Sequence, residues 1–312
     1  MILIFLTTTK RKKLDSAKKT AVALRSQVIS PSEIVKLSKV LDQSVISTLF
    51  IPDLPGVYDS LEISAACLGV SKGLHAGSGV FRPLEHDLQQ LVRRLSTLQS
   101  LSENRYIMGV GTGSPGPYPG EKVSLMLQRL DEIRTAFKET NDNYPECYIA
   151  ALRLGIAKRV AGKCDGILLN FCPPQYAKML VDALRKSFSG NLEISCYLKV
   201  FYSPSEAMAR KLGVEEFVKY NSFPQYHAMF EAIGLSQDIL SASRTLGNND
   251  VGYPESLRVT SPINPSIDEL RTYVTAFRDS GITLPCVYPY FADGESFEFK
   301  HETVRNIISA AE

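Results

Sequence analysis

Short apolar runs alternate with amphipathic stretches along the chain from about residue 20. TAVALR (20–25) is the first apolar run, and SPSEIVKLSKVLDQSV (30–45) follows it with apolar positions at helical spacing. Ser30 precedes Pro31 and stands three residues before Glu33, which is the pattern of a capping box with proline in the first turn. This part of the chain is therefore predicted to form a strand followed by a helix.

The same unit recurs until eight strand-like runs are counted, and most of them are followed by a helical stretch. The helical stretch at 121–139 carries its apolar residues on one stripe, which indicates a helix with one buried side. The members of this stripe are Val123, Met126, Leu127, Leu130, Ile133 and Phe137. The predicted strands are 20–25, 47–53, 72–81, 105–113, 147–152, 166–172, 193–202 and 283–291.

Alternating strands and helices predict an α/β protein with a parallel sheet and helical crossovers. Eight units in 312 residues fit a closed (β/α)8 TIM barrel, with an open doubly wound sheet as the alternative. Residues 205–265 are mostly helical and are predicted as an insertion between strands seven and eight. Residues 1–19 lie outside the pattern, as an N-terminal extension or an extra strand, and 20–312 are predicted to form a single domain.

The composition and charge of the chain argue against several kinds of binding partner. The chain is 44% hydrophobic, and its net charge of +2 is too balanced to indicate a nucleic acid or an anionic membrane as partner. MILIFLTTT (1–9) is apolar but short, and no later apolar run approaches the ~20 residues of a membrane helix. The six cysteines form no C-x-x-C pair and the four histidines no metal-binding motif, so no metal site is predicted. We expect reduced thiols in a cytoplasmic protein.

The segment GVGTGSPGPYPG (109–120) contains a literal G-x-G-x-x-G, the motif of dinucleotide-binding folds. Three prolines follow at every second position and bias the residues before them away from the helical region. The helix is therefore not expected to begin before about Glu121, beyond the third glycine. We interpret Gly111 and Gly113 as the end of the fourth barrel strand, and the prolines as a stiff rim.

In a barrel of this kind the chemistry lies at the carboxyl ends of the strands. These ends offer glycine-rich segments together with Asp53, Arg153 and Asn170. Glycine lets backbone N–H groups approach oxygen atoms closely. The aromatic residues predicted there are Phe81, Tyr202 and Tyr288. This composition suits a flat aromatic ligand that carries a phosphate.

Five segments, in order along the chain, carry a resemblance to a known family. They are SLEISAACLGVSKGLHAGSGVFRP (60–83), LSTLQSLSENRYIMGVGTGSP (95–115), CDGILLNFCPP (164–174), FVKYNSFPQYHAMFEAIG (217–234) and SIDELRTYVTAFRDSGITLPCVYPY (266–290). Together they resemble the bacterial luciferase-like family of flavin- and deazaflavin-dependent oxidoreductases. The resemblance covers residue 20 to about 305 and is nearest to methylenetetrahydromethanopterin reductase and its relatives.

The resemblance implies a (β/α)8 barrel, often a homodimer, that binds coenzyme F420 (a deazaflavin) or FMN. Such a protein transfers hydride between the cofactor and a small organic substrate. The resemblance also implies a non-prolyl cis peptide against the cofactor ring, at Gly79–Val80 or at Ser78–Gly79. It places Asp53 near the polar edge of the ring, and the phosphate near the end of strand five and the following helix.

Three positions depart from the family pattern. Arg153 and Leu154 replace a Gly-Pro pair at the phosphate turn, where an arginine can itself bind phosphate. Leu54 stands where deazaflavin-dependent members often carry histidine, and Leu24 or Arg25 where reductases carry a carboxylate. No proton donor is assigned, and a barrel that binds a flavin-like or phosphate ligand without turnover is the alternative function. The predicted cofactor-binding residues are Asp53, Ser78, Gly79, Val80, Gly111, Gly113, Ala151, Arg153, Leu154 and Asn170.

Overall fold

The fold is taken from a computed structural model that describes residues 19–113, 119–140, 142–248 and 250–312. The eight strands are β1 (Ala21–Ala23), β2 (Thr48–Ile51), β3 (His75–Ser78), β4 (Tyr106–Val110), β5 (Glu146–Ala150), β6 (Gly166–Asn170), β7 (Glu193–Tyr202) and β8 (Leu284–Phe291). The helices are α1 (Pro31–Asp42), α2 (Ser60–Val70), α3 (Leu88–Leu101), α4 (Pro119–Thr140), α5 (Leu154–Val160), α6 (Pro174–Arg185), α7 (Glu206–Asn221), α8 (Pro224–Ala232), α9 (Ser236–Ser243), α10 (Glu255–Thr260), α11 (Ile267–Asp279) and α12 (Phe297–Ala311).

The strands close into a parallel barrel in their sequence order. Ala21 of β1 lies opposite Thr48 of β2 on one side and opposite Cys286 of β8 on the other. Each strand is thus paired on both sides, which confirms the (β/α)8 barrel. The open doubly wound sheet is wrong, because that topology leaves two edge strands. β1 lies within the predicted run 20–25, and residues 1–18 are outside the described part of the chain.

The two helices predicted at 30–45 and 121–139 are present as α1 and α4, with one difference at the start of α4. The capping box of α1 is present: Ser30 Oγ accepts the Glu33 N–H at 3.3 Å, and Glu33 accepts the Ser30 N–H at 2.7 Å. The predicted apolar stripe of α4 is buried throughout. The helix begins at Pro119, not at about Glu121, because proline fits a first turn, where its missing N–H needs no partner. Most of the predicted rim, 114–118, lies outside the described residues.

A helical insertion lies between β7 and β8, as predicted. It contains α7, α8, α9 and α10, and its first helix packs on both neighbouring strands at the carboxyl end of the barrel. Among the described residues, none of the helices combines the length and the apolar character that crossing a membrane requires.

Side chains alternate along each strand between an outer layer and the barrel lumen. Val22 of β1 and Leu24, which follows it, pack in the outer layer with the helices, whereas Ala21 and Ala23 face inward. The lumen is packed with side chains, as is usual in an eight-stranded parallel barrel. Its large apolar members are Phe50, Ile107, Tyr148, Leu168, Tyr197, Phe201, Tyr288 and Tyr290.

Candidate active site

One wall of the barrel mouth is built from small residues. Gly79 follows β3, Gly111 follows β4, and Ala150 ends β5. A Cβ atom at Gly111 would lie 2.6 Å from Cγ2 of Val80 and 3.5 Å from Cβ of Ala150, so these residues are in close contact. Because β3 and β4 lie opposite β7 and β8 in the closed barrel, this wall faces the aromatic residues of the last two strands.

Tyr197 of β7 crosses the lumen and forms the floor of the mouth. Its hydroxyl donates a hydrogen bond to the Gly79 carbonyl at 3.1 Å, and it leaves no room for a Cβ atom at Gly79. Burial raises the pKa of Tyr197 well above its ordinary value, which keeps the hydroxyl protonated as this hydrogen bond requires. The adjacent peptide bond, Gly79–Val80, is cis, at the first of the two positions that the resemblance implied.

The opposite wall carries a buried charge cluster. Lys199 of β7 is fully buried, and its Nζ lies 2.5 Å from Oε1 of Glu216 in α7. The same ammonium lies 3.5 Å from the ring centroid of Tyr220 and 4.4 Å from that of Phe171, a cation–π arrangement. Tyr290 donates its hydroxyl to Glu216 at 2.6 Å. The insertion is thus bound to β7 and β8 through one carboxylate.

Burial and the positive charge of Lys199 shift the pKa of Glu216 in opposite directions. Burial alone would raise the pKa of this carboxyl. The nearby Lys199 and Lys219, with the hydrogen bonds from Lys199 and Tyr290, hold the pKa below its usual range. Glu216 is therefore ionised at neutral pH, and its charge is paired with that of Lys199.

Aromatic rings of α7 and α8 cover the side of the mouth at β6. Phe171 follows β6 with a φ of 54°, and its ring centroid lies 4.6 Å from that of Phe217. Asn170 donates its amide to the hydroxyls of Tyr226 at 2.8 Å and Tyr220 at 3.2 Å. The Oδ1 atom of Asn170 is buried and has no partner in the described chain. The cover thus leaves one hydrogen-bond acceptor unused at the mouth.

The rim holds one paired carboxylate and one exposed arginine. Asp53, after β2, forms an ion pair with Arg82, with 3.2 Å between Nη2 and Oδ2. Arg82 also donates to the Asp53 carbonyl at 3.3 Å, and it packs beside Gly113. Arg153 is exposed at the amino end of α5, and it forms no ion pair with the residues that the structure describes.

Five of the ten predicted cofactor-binding residues lie together near the mouth. Ser78 points away from it, because its hydroxyl bonds to those of Ser60 in α2 at 3.1 Å and Tyr106 at 2.9 Å. Ala151 and Leu154 pack with the outer core, whereas Asp53 and Arg153 lie on the rim. The residues near the mouth are Gly79, Val80, Gly111, Gly113 and Asn170.

Two aromatic residues were predicted at the mouth and are not there. Phe81 and Tyr202 both belong to the outer core, where Tyr202 stacks against Phe291 at 6.2 Å between ring centroids. The reason is the alternation along the strand, because Tyr202 is next to the inward residue Phe201. The third predicted residue, Tyr288, does line the lumen.

The sequence prediction missed Lys199 and Glu216. A signal was present in EISCYLKVFY (193–202), an otherwise mostly apolar strand that contains one lysine. Tyr197, Lys199 and Phe201 are two residues apart, so all three share the inward side. A lysine inside such a strand is buried only with a partner. Nothing in the sequence identifies Glu216 as that partner, because α7 carries several carboxylates.

The fold and the mouth define a class: (β/α)8 barrels in which a small-residue wall lies opposite an aromatic wall at the carboxyl end of the strands. No family model and no curated protein matches the chain. Solved structures do match, over 93% of the chain or more. One is the coenzyme F420-dependent tetrahydromethanopterin reductase of Methanopyrus kandleri, with a TM-score of 0.70, 13% identity, and coverage of 93% of this chain and 96% of that one.

Two further structures match at similar levels. An F420-dependent secondary alcohol dehydrogenase, in complex with an F420–acetone adduct, has a TM-score of 0.67 and 11% identity, and 93% of this chain and 99% of that chain are covered. The oxygenating constituent of the 3,6-diketocamphane monooxygenase of Pseudomonas putida, in complex with FMN, has a TM-score of 0.63 and 11% identity, with 95% and 97% covered. Such identities show a shared fold, which is the fold that the luciferase-like resemblance implied.

Proposed function

We propose that the protein is an oxidoreductase that uses coenzyme F420 or FMN and transfers hydride between this cofactor and a small organic substrate. The observation that carries the proposal is the mouth itself, where the small residues Gly79, Gly111 and Ala150 are on strands across the barrel from those of Tyr288 and the buried Lys199. Small residues on one side and aromatic rings on the other are a lining that suits a flat ring. The solved structures of this fold that act with F420 or FMN support the assignment.

The residues at the mouth fit such a cofactor. The unpartnered Oδ1 of Asn170 would accept a hydrogen bond from the polar edge of the ring. Arg153, which is exposed and without an ion pair in the described chain, would hold the phosphate. When bound, the cofactor supplies the hydride chemistry. The chain then contributes position, and the rings of Phe171 and Tyr220 keep water from the β6 side.

Titration of the full-length protein with FMN and with F420, followed by absorbance and fluorescence, tests the proposal. We expect one of the two to bind with a dissociation constant in the micromolar range, and Arg153→Ala to weaken this binding about tenfold, because a charge-assisted hydrogen bond to phosphate is lost. Arg185→Ala is the matched control. It removes the same charge from the last residue of α6, at the opposite end of the barrel, and should leave binding unchanged.

The titration also separates the two candidate functions. If neither FMN nor F420 binds, the cofactor assignment is wrong. If one binds but is neither reduced nor oxidised by a panel of small alcohols and aldehydes, the barrel binds its ligand without turnover. Binding together with hydride exchange supports the oxidoreductase.

A homodimer is part of the proposal, and the groove between α2 and α3 is its expected interface. The groove has a volume of about 390 Å³ and includes Leu61, and Leu101 at its edge is 74% exposed. Arg94 and Glu62 bring both charges to the same surface, as a self-complementary contact needs. We expect Leu101→Glu to shift the protein to monomer in sedimentation velocity. Met179→Glu is the control: Met179 is 62% exposed on α6, and its substitution should leave the protein dimeric. If the unmutated protein is already a monomer, the proposed interface is wrong.

A cytoplasmic location is also proposed. All six cysteines are unpaired, and burial raises the pKa of Cys67 to about 11 and that of Cys147 to about 12. Thiols with such pKa values are protonated and unreactive at neutral pH. They are consistent with a reducing compartment.

A further inference from the structure

Arg25 lies two residues beyond the carboxyl end of β1, on the lumen side of the barrel. Ala21 and Ala23 of the same strand belong to the cluster that fills the lumen. Because side chains alternate along a strand, Arg25 occupies the next inward position. The register agrees: Ala21 is opposite Cys286, and four residues further along each strand Arg25 meets Tyr290.

The guanidinium of Arg25 is fixed in place but keeps unused donors. Its central carbon lies 4.0 Å from the ring centroid of Tyr290. One of its Nη atoms donates to the Phe291 carbonyl at 3.3 Å, whereas its Nε atom is buried and has no partner among the residues that the structure describes. Within the described residues, Arg25 forms no ion pair with a carboxylate.

Two carboxylates near the mouth are already paired, and Asp293 and Glu295, which follow β8, form no ion pair with Arg25 in the described part of the chain. Glu216, which holds the Tyr290 hydroxyl, is bound to Lys199, and Asp53 on the rim is bound to Arg82. The positive charge of Arg25 is therefore not neutralised within the site. A guanidinium also presents N–H donors in a fork whose geometry matches a carboxylate or a phosphate.

We infer that Arg25 binds an oxyanion group of the substrate, a carboxylate or a phosphate, so that the site selects small anionic organic molecules. The inference rests on the proposed function for the existence of a substrate, and it adds the substrate's charge. The Tyr290 ring, held by its bond to Glu216, is the platform that keeps the guanidinium at the mouth. A cationic substrate is disfavoured, because it would meet an unpaired positive charge.

The test uses the 15N-labelled full-length protein without added cofactor and three probes: lactate, lactamide and inorganic phosphate. Lactate and lactamide have the same shape and differ in charge. The Arg25 Nε–H resonance, assigned by its loss in Arg25→Gln, should shift with lactate or phosphate and not with lactamide. We expect at least tenfold tighter binding of the preferred anion than of lactamide. Preferential binding of lactate indicates a carboxylate substrate, and preferential binding of inorganic phosphate indicates a phosphate substrate.

Two variants and a control make the result decisive. Arg25→Gln should abolish the preference for the anion, and Arg25→Lys should keep part of it, because the charge remains and the forked donor geometry is lost. Arg185→Gln removes the same charge from the other end of the barrel and should leave the preference for the anion unchanged. Equal binding of anion and amide by the unmutated protein, or an anion preference that survives in Arg25→Gln, would overturn the inference. The cofactor titration fails or succeeds independently, since no cofactor is present here.

Discussion

Glu216→Gln should lower the free energy of unfolding by about 3–5 kcal/mol. The substitution keeps the size of the side chain and a carbonyl oxygen for the Tyr290 hydroxyl, but it removes the negative charge 2.5 Å from Lys199. Lys199 is fully buried, so its charge would stay in the interior without compensation. The rings of Tyr220 and Phe171 replace only part of this stabilisation, because cation–π contacts contribute about 0.5–2 kcal/mol.

Urea denaturation followed by circular dichroism measures this loss. Asp182→Asn is the matched control, because it breaks the Lys178–Asp182 pair, an ion pair of 2.9 Å between largely exposed side chains of α6. That change should cost about 0.5 kcal/mol or less. The double variant Lys199→Met with Glu216→Gln should recover much of the stability, since no buried charge remains. Equal losses for Glu216→Gln and Asp182→Asn would show that the buried pair is not a structural requirement.

The architecture was predictable because its signals are local. The capping box of Ser30 and Glu33 lies within one turn of the chain, and the apolar stripe of α4 within one helix. Eight such strand–helix units leave few ways to pack, and the closed barrel is one of them. The one difference was also local: the predicted start of α4 depended on whether Pro119 belongs to the loop or to the first turn of the helix.

The site was predictable only for residues at the ends of strands. Gly79, Gly111 and Asn170 are at strand ends, and a strand end can be read from the sequence. The contacts of the side chains cannot be read in this way, because they join distant parts of the chain. Tyr197 and the Gly79 carbonyl are 118 residues apart, and the partner of Asp53 is an arginine 29 residues further on.

Whether a strand residue faces the lumen or the outer layer follows from the alternation of side chains, but only after one residue of the strand is known to face inward. Tyr202 was assigned to the mouth from its position at the end of β7, whereas the inward residues of that strand are Tyr197, Lys199 and Phe201. A shift of one residue moves a side chain to the other layer. Once Ala21 and Ala23 are known to face inward, the same rule identifies Arg25 as inward-facing, whereas the sequence alone left open whether Leu24 or Arg25 is the position that departs from the family pattern.

Gly79→Ala should lower the free energy of unfolding by about 3 kcal/mol, near the upper end of the usual cost of overpacking. The added Cβ atom would overlap the hydroxyl oxygen of Tyr197 and lie 2.8 Å from its Cζ atom and 3.3 Å from Cβ of Phe50. Tyr197 cannot move aside cheaply, because its ring is buried in the packed lumen and its hydroxyl is bonded to the Gly79 carbonyl.

Thermal and urea unfolding of three variants test whether this overlap is the cause. Gly69→Ala is the control: Gly69 lies in α2 with open space around its Cα atom, so the change should stabilise the protein by up to about 1 kcal/mol. In the double variant Gly79→Ala with Tyr197→Phe the hydroxyl oxygen is gone but Cζ remains, so we expect partial recovery relative to Gly79→Ala. If Gly79→Ala is as stable as the unmutated protein, Tyr197 does not fill the floor of the mouth. A flat ligand would then have room below Gly79, on the side of the lumen that Tyr197 occupies in the structure.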